Sequence, residues 1–508
     1  MKKIYLFFTL SFILPFFCNA EILLYPDYLE VQKNFKAKNS KACVISNTNN
    51  SIKDIGAPSE VLVIINQNSE ISIAIGEYYM QLRGIPDINL CVLDCSTTEV
   101  IKRQEFVGKI SSPIREYLQV NGLKSRIKYF LTTKGVPLKI TGVFSYDTYM
   151  SSVDSELTLL DQNYSLKGWY PNPYYGLDEN LDRSEIQIYL VNRLTSYDID
   201  EDSNNIPDDI ESYLAKSQFP SDVDGRFILD TDAKKDGSGG YKIGNDWMRN
   251  AAEILTDMGA NVFLEETEEF LTDEDDVIGY CSWGSNDSHA KNHGEPYFTW
   301  VDGSIATTYV STNARTFKYP PEYGQSMIAD MLREGITGIY GNVYEPYLTA
   351  CANPEILFPR YYKGYNLSES YYMSLPFISW MEIVVGDPLC APFAERIPRV
   401  HVSTNRVIYS AGDELEVNMD IWNTDEEISI KLYIALSMNG SLFFYPEWTK
   451  NIDYSELQLG SKSRLHLDIL DIILPVEIDP LNLNFYAAIT DPEGNLIGNL
   501  SSAELEFK

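Results

Sequence analysis

From about residue 58 the chain alternates short β-branched runs with segments of helical spacing, and this alternation limits the possible folds more than any other feature. Val61-Leu62-Val63-Ile64-Ile65 reads as a strand closed by Asn66-Gln67-Asn68-Ser69. Ser69 can cap a helix carrying Ile73, Ile75, Tyr78, Tyr79 and Leu82, which Gly84 and Pro86 end. Leu90 to Leu93 follows as a strand, residues 105 to 121 as an amphipathic segment, and Ile127 to Thr133 as a strand. After a Tyr-, Asn- and Pro-rich stretch at about 145 to 180, read as a long loop or insertion, the pattern resumes. Strands are expected at Ile186 to Val191, Phe227 to Leu229, Val262 to Leu264, Val277 to Cys281 and Ile336 to Tyr340. Helices are expected around Trp247 to Met258, stopped by Gly259, and at 323 to 334. The pattern predicts βαβ units and a mainly parallel sheet with helices on both faces.

Beyond Gly386-Asp387-Pro388 the texture changes to short alternating segments at Glu414 to Met419, Ile428 to Leu436, Leu465 to Leu470 and Leu483 to Ala488. Turns such as Asn439-Gly440 separate them, and the rhythm predicts an immunoglobulin-like β-sandwich over 396–508. No internal sequence repeat is evident.

At the other end, two lysines precede an apolar run from Ile4 to Phe17 and then Cys18-Asn19-Ala20, the pattern of a signal peptide over 1–20 cut before Glu21. A lipid anchor at Cys18 is the rival, but Phe16 and Phe17 stand where such a site needs small residues. Residues 21–57 then form an N-terminal segment ahead of the 58–395 domain. No later segment is apolar enough to span a bilayer, so a secreted, periplasmic or cell-surface location is expected. The net charge of -33 argues against nucleic acid and anionic membrane as partners. A hydrophobic fraction of 44% separates the chain from acidic disordered tails. Of the cysteines beyond the signal peptide (Cys43, Cys91, Cys95, Cys281, Cys351 and Cys390), Cys91 and Cys95 would be roughly 13 Å apart along one strand, too far to bridge.

Two segments carry metal-type chemistry. Read as a twelve-residue calcium loop inserted near 198–212, residues 200 to 211 place Asp200, Asp202 and Asn204 at positions 1, 3 and 5. Ile206 gives its carbonyl at 7, Asp208 stands at 9 and Glu211 is the bidentate ligand at 12. Position 6 is Asn205 in place of glycine, and asparagine tolerates the positive φ needed there. His289 and His293 are four apart, but Asn, Asp and Gly around them favour a loop over a two-ligand helix face. Cys281-Ser282-Trp283-Gly284-Ser285-Asn286-Asp287 and Thr308-Tyr309-Val310-Ser311-Thr312-Asn313-Ala314-Arg315 read as strand ends, where parallel sheets place active sites. Cys281, Trp283, Ser285, Asp287, His289, His293, Ser311, Asn313 and Arg315 are therefore the candidate cleft residues.

Five segments together resemble an uncharacterised exported bacterial family that co-occurs with exosortase. They are Arg83-Gly84-Ile85-Pro86, Thr133-Lys134-Gly135-Val136-Pro137-Leu138, Tyr280 to Asp287, Gly341-Asn342-Val343-Tyr344-Glu345-Pro346-Tyr347 and Gly386-Asp387-Pro388-Leu389. More distantly the chain is similar to gingipain-type cysteine peptidases of the caspase-like fold. That likeness implies a caspase-like α/β domain followed by an immunoglobulin-like one. It also implies a His-Gly-Ser strand end and a nucleophilic Cys; here Trp283 precedes Gly284-Ser285, and Ser311 or Asn313 stands at the second strand end. The expected function is binding of a protein, peptide or envelope glycan on a peptidase-like scaffold without the Cys–His dyad. The alternatives are a hydrolase or transpeptidase using Cys281 or Ser311 with His289 or His293, and a calcium-stabilised structural surface protein.

Overall fold

The computed structural model describes residues 55–141, 150–162, 169–220, 223–237, 239–438, 440–475 and 482–507. The signal-peptide segment, Cys43, Asn439 and most of 21–57 lie outside these residues. Ten strands form one sheet: β1 Val61–Asn66, β2 Leu90–Leu93, β3 Tyr129–Thr133, β4 Leu190–Leu194, β5 Arg226–Asp230, β6 Val262–Glu265, β7 Val277–Ser282, β8 Trp300–Thr308, β9 Gly338–Asn342 and β10 Glu382–Val385. Their order is β6-β5-β7-β8-β9-β10-β4-β3-β1-β2. Every neighbouring pair is parallel except β9 and β10.

That single antiparallel seam divides the sheet into two halves running in opposite directions. β1–β4 lie in the order 2-1-3-4, and β5–β8 repeat the order as 6-5-7-8. β10 completes the first half beside β4, and β9 completes the second beside β8. The chain thus repeats a topology that its sequence does not repeat.

Both sheet faces are covered. Val61, Val63 and Ile65 belong to one buried cluster and Leu62 and Ile64 to another, because successive side chains of a strand point to opposite faces. The helix Glu70–Arg83 forms as expected: Ser69 Oγ accepts from Ser72 N, and Gly84 ends it at φ 65°. β10 has no counterpart among the expected strands, and two others differ from expectation. β4 starts four residues and ends three residues later than the pattern implies, since polar Asn192 and Arg193 are inside it. Arg193 is buried there because Asp154 receives its Nε and Nη2, both at 2.7 Å. β8 carries Asp302-Gly303-Ser304, which hides its period of two.

Two of the segments quoted as motifs meet in space, and a third is held by the end of β1. Arg83, at the end of its helix, and Asp387, just past β10, form a buried ion pair. Asn66 Nδ2 donates to the carbonyl of Gly135, whose φ of 102° suits only glycine; a Cβ there would lie 2.3 Å from Ser69 Oγ.

C-terminal to this sheet, the strands Arg399–Thr404, Glu414–Asn423 and Ser463–Ile473 make an antiparallel sheet. A second, six-stranded sheet is built on Ile428–Met438, Asn482–Thr490 and Leu496–Phe507. Val402, Val417, Ile434, Phe485 and Leu505 share one core between them. No helix among the described residues is long and apolar enough to cross a membrane.

Candidate functional site

The exits of β5 and β7 lie side by side, with Ser282 paired to Asp230. β5 leaves as Asp230-Thr231-Asp232, and the loop after β7 carries Asp287-Ser288-His289. Asp232, 2% exposed, accepts at Oδ1 from Lys234 N at 3.0 Å and Ser288 Oγ at 3.1 Å, and at Oδ2 from Ser288 N at 3.1 Å. Asp287 Oδ1 accepts from His289 N at 2.6 Å. One ligand atom each from Asp232, Asp287 and His289 falls within 4.8 Å of the others.

Charge is crowded here. Burial raises the Asp230 carboxyl to about 8, and the charges of Asp287, Glu265 and Asp232 add to that shift. Asp287 is also raised, by burial and then by Asp232. Counter-charge comes from Lys235 Nζ, 3.9 Å from Asp232 Oδ2, and from Lys234 Nζ, 3.3 Å from His289 Nε2.

The other candidate residues divide among different tasks. Trp283 is 2% exposed beneath the helix Lys242–Asp257, and its Nε1 donates to Asn245 Oδ1 at 2.8 Å. The Asn245 Nδ2 donates in turn to the carbonyl of Asp232 at 2.8 Å, so one asparagine ties both strand exits together. Gly244 permits this approach, because a Cβ there would lie 2.7 Å from the indole. Cys281 points into the core, and burial pushes its thiol up. Ser285 and Ser326 exchange two hydrogen bonds of 2.9 Å. Asn313 is wholly buried, accepting from Asn342 N at 2.8 Å and donating to Thr308 Oγ1 at 3.1 Å. Arg315 donates to the carbonyls of Thr312, Glu322 and Gln325 and braces its own loop. Ser311 is half-buried on that loop. His293, at φ 61°, stacks on Tyr323 with ring centroids 4.2 Å apart.

The expected cleft residues therefore do not converge. Asp287 and His289 join Asp232, whereas Cys281, Trp283 and Asn313 are packed inside. Among the described residues neither His289 nor His293 has a hydrogen bond to Cys281 or Ser311. Asp230, Asp232 and Asn245 were missed by sequence reasoning. The Asp-Thr-Asp spacing at a strand exit was the available signal, since residues two apart share a face; Asn245 gave none.

In the 200–211 loop, Asn205 takes φ 67°, as a position-6 residue must. Asp200 accepts from Asn204 N at 3.1 Å and Asn205 N at 2.8 Å, and Asn204 Nδ2 reaches Glu211 Oε1 at 3.1 Å. Asp202 is exposed, Ile206 is buried, and Asp208 begins the helix Asp208–Gln218.

No family model matches the chain, and no curated protein matches it. Among solved structures, the Pseudomonas fluorescens alkylpurine DNA glycosylase AlkC is similar at 12% identity over 22% of this chain and 30% of that one, with a TM-score of 0.16. The CARDB domain of the PF1109 protein from Pyrococcus furiosus matches at 16% identity over 22% of this chain and 96% of that domain, with a TM-score of 0.16. Escherichia coli alpha-2-macroglobulin matches at 16% identity over 22% and 16%, with a TM-score of 0.17. The chain spans under a third of the glycosylase, and TM-scores this low carry no argument about fold or activity.

Proposed function

We propose that this is an exported protein that binds a peptide, protein or envelope-glycan partner on a caspase/gingipain-like scaffold followed by an immunoglobulin-like sandwich, without Cys–His peptidase chemistry. The observation that carries this is the state of the strand exit at Cys281 and Trp283. A Cys–His peptidase needs an accessible thiolate beside an imidazole. Cys281 is fully buried with its thiol pushed up, and the N–H of Trp283 is occupied by Asn245. An indole nitrogen only donates, so Trp283 cannot take the nucleophile's proton. Incubated with a diverse peptide library, calcium and reductant, the mature protein is expected to give no turnover. Cleavage abolished by Cys281→Ala, or by both Ser311→Ala and His289→Ala, would overturn the proposal.

The 200–211 loop is proposed to hold one calcium ion that stabilises the fold. Its support is the hard oxygen donors at spaced positions and the left-handed Asn205. Calcium at a hundredfold excess over its Kd should stabilise the native state by about 2.7 kcal/mol and raise the Tm. Calorimetry with and without chelator is the check. An unchanged melting curve, or one that responds equally after Glu211→Ala, removes the loop from consideration.

A further inference from the structure

We propose that Asp232, Asp287 and His289, backed by Asp230, form a site for a divalent transition-metal cation, Zn2+ or Mn2+, at the C-terminal ends of β5 and β7. The three donor atoms already lie within 4.8 Å of one another. Donors bound about 2.1 Å from one ion are at most ~4.2 Å apart, so small side-chain rotations suffice. They come from two neighbouring strand exits of a parallel sheet, the edge at which such sheets bind ligands.

A second observation is independent of these donors. Asp230 is 1% exposed; one carboxylate oxygen accepts from Leu271 N at 3.2 Å, while Oδ1 is buried with no hydrogen-bond partner among the described residues. Asp230 stands two residues before Asp232 and lies close enough to interact with the charges of Asp287, Glu265 and Asp232. A buried carboxylate oxygen left without a partner is costly. A bound cation answers it directly or through a coordinated water, and offsets the repulsion among the acids. The imidazole selects the metal. All-oxygen cages suit Ca2+ and Mg2+, whereas mixed carboxylate and imidazole donors suit Zn2+ or Mn2+. His289 is within reach of solvent, with a side-chain exposure of 32%, which gives the ion a path in.

The test uses the full mature chain stripped with chelator and titrated with Zn2+ alone and Mn2+ alone. One saturable site that Glu211→Ala does not remove is expected with each metal, weakened at least about tenfold by His289→Gln and about a hundredfold by Asp287→Asn. Glu211→Ala should leave it intact. So should His466→Gln, which removes an imidazole lying 2.9 Å from Asp420 and 3.3 Å from Asp468. With Mn2+, spin-echo spectra should show imidazole nitrogen coupling that His289→Gln abolishes, so the site remains testable if Asp287→Asn does not fold. No saturable binding means that Lys234 and Lys235 neutralise the cluster without an ion, and overturns the proposal. Binding that survives His289→Gln, or that is lost only with His466→Gln, overturns it equally.

Discussion

Asp387→Ala is expected to cost ~3–5 kcal/mol of folding stability, although the residue is far from the acidic cluster. Asp387 is fully buried and holds three groups at once. Its Oδ2 receives Arg83 Nε at 2.7 Å, and its Oδ1 receives Tyr79 OH at 2.8 Å and Leu389 N at 2.9 Å. Arg83 also donates to the carbonyl of Ser217 at 3.0 Å. Removing the carboxylate leaves a largely buried guanidinium without its counter-charge, the costly way to break a buried pair. Replacing both partners together, as Arg83→Met with Asp387→Leu, should cost far less, because no unpaired charge remains. Urea denaturation of Arg83→Met, Asp387→Leu and the double variant measures the difference. Near-additive losses would show that the pair is not coupled as the geometry requires.

Stability should also fall between pH 4.5 and 7, and Glu382 is the group to follow. It opens β10 at the seam between the two halves of the sheet, paired with Asn342 of β9. Its carboxyl is met by Ser155 Oγ and by Met381 N at 2.8 Å, but burial dominates and raises it from 4.5 to about 7. The native state therefore keeps a proton that the unfolded chain gives up near 4.5. In that window the folded form binds more protons, so stability decreases with pH and levels off above 7. The loss by pH 8 is on the order of 3 kcal/mol. Glutamine is the isostere of the neutral acid, so Glu382→Gln should match the parent near pH 4.5 and exceed it at pH 8. Asp209, raised to about 6, titrates in the same direction. The informative quantity is thus the difference between parent and variant. A difference that is constant from pH 5 to 8 would refute the assignment to Glu382.

For β4, which the sequence pattern misplaced, distant polar partners are the reason. Arg193 and Asn192 made the end of β4 look like a loop, yet they are buried because Asp154 and Ser368 reach them from elsewhere in the chain. The strand exits were visible as glycine and polar residues after apolar runs. What each exit residue does was not: Cys281 and Trp283 alternate to the side covered by the helix Lys242–Asp257, while Asp287 and His289 extend past it to meet Asp232. The two lysines next to that cluster, and the asparagine that ties its strands, have no sequence signature at all.

By itself the sequence determined the features that depend on near neighbours. These are the period of the strands, the Ser69 and Gly84 helix ends, the left-handed turn at Asn205 and the change from alternating helix and strand to strands alone after Gly386. Backbone sterics and local hydrogen bonds decide such features within a few residues. Only the tertiary structure decided that β10 returns beside β4 to close the first half, that the halves run in opposite directions, and that Arg83 finds Asp387 304 positions away. Those choices come from covering both faces of one sheet and matching each buried charge with a partner. Burial and charge pairing act across space, so no stretch of neighbouring residues records them.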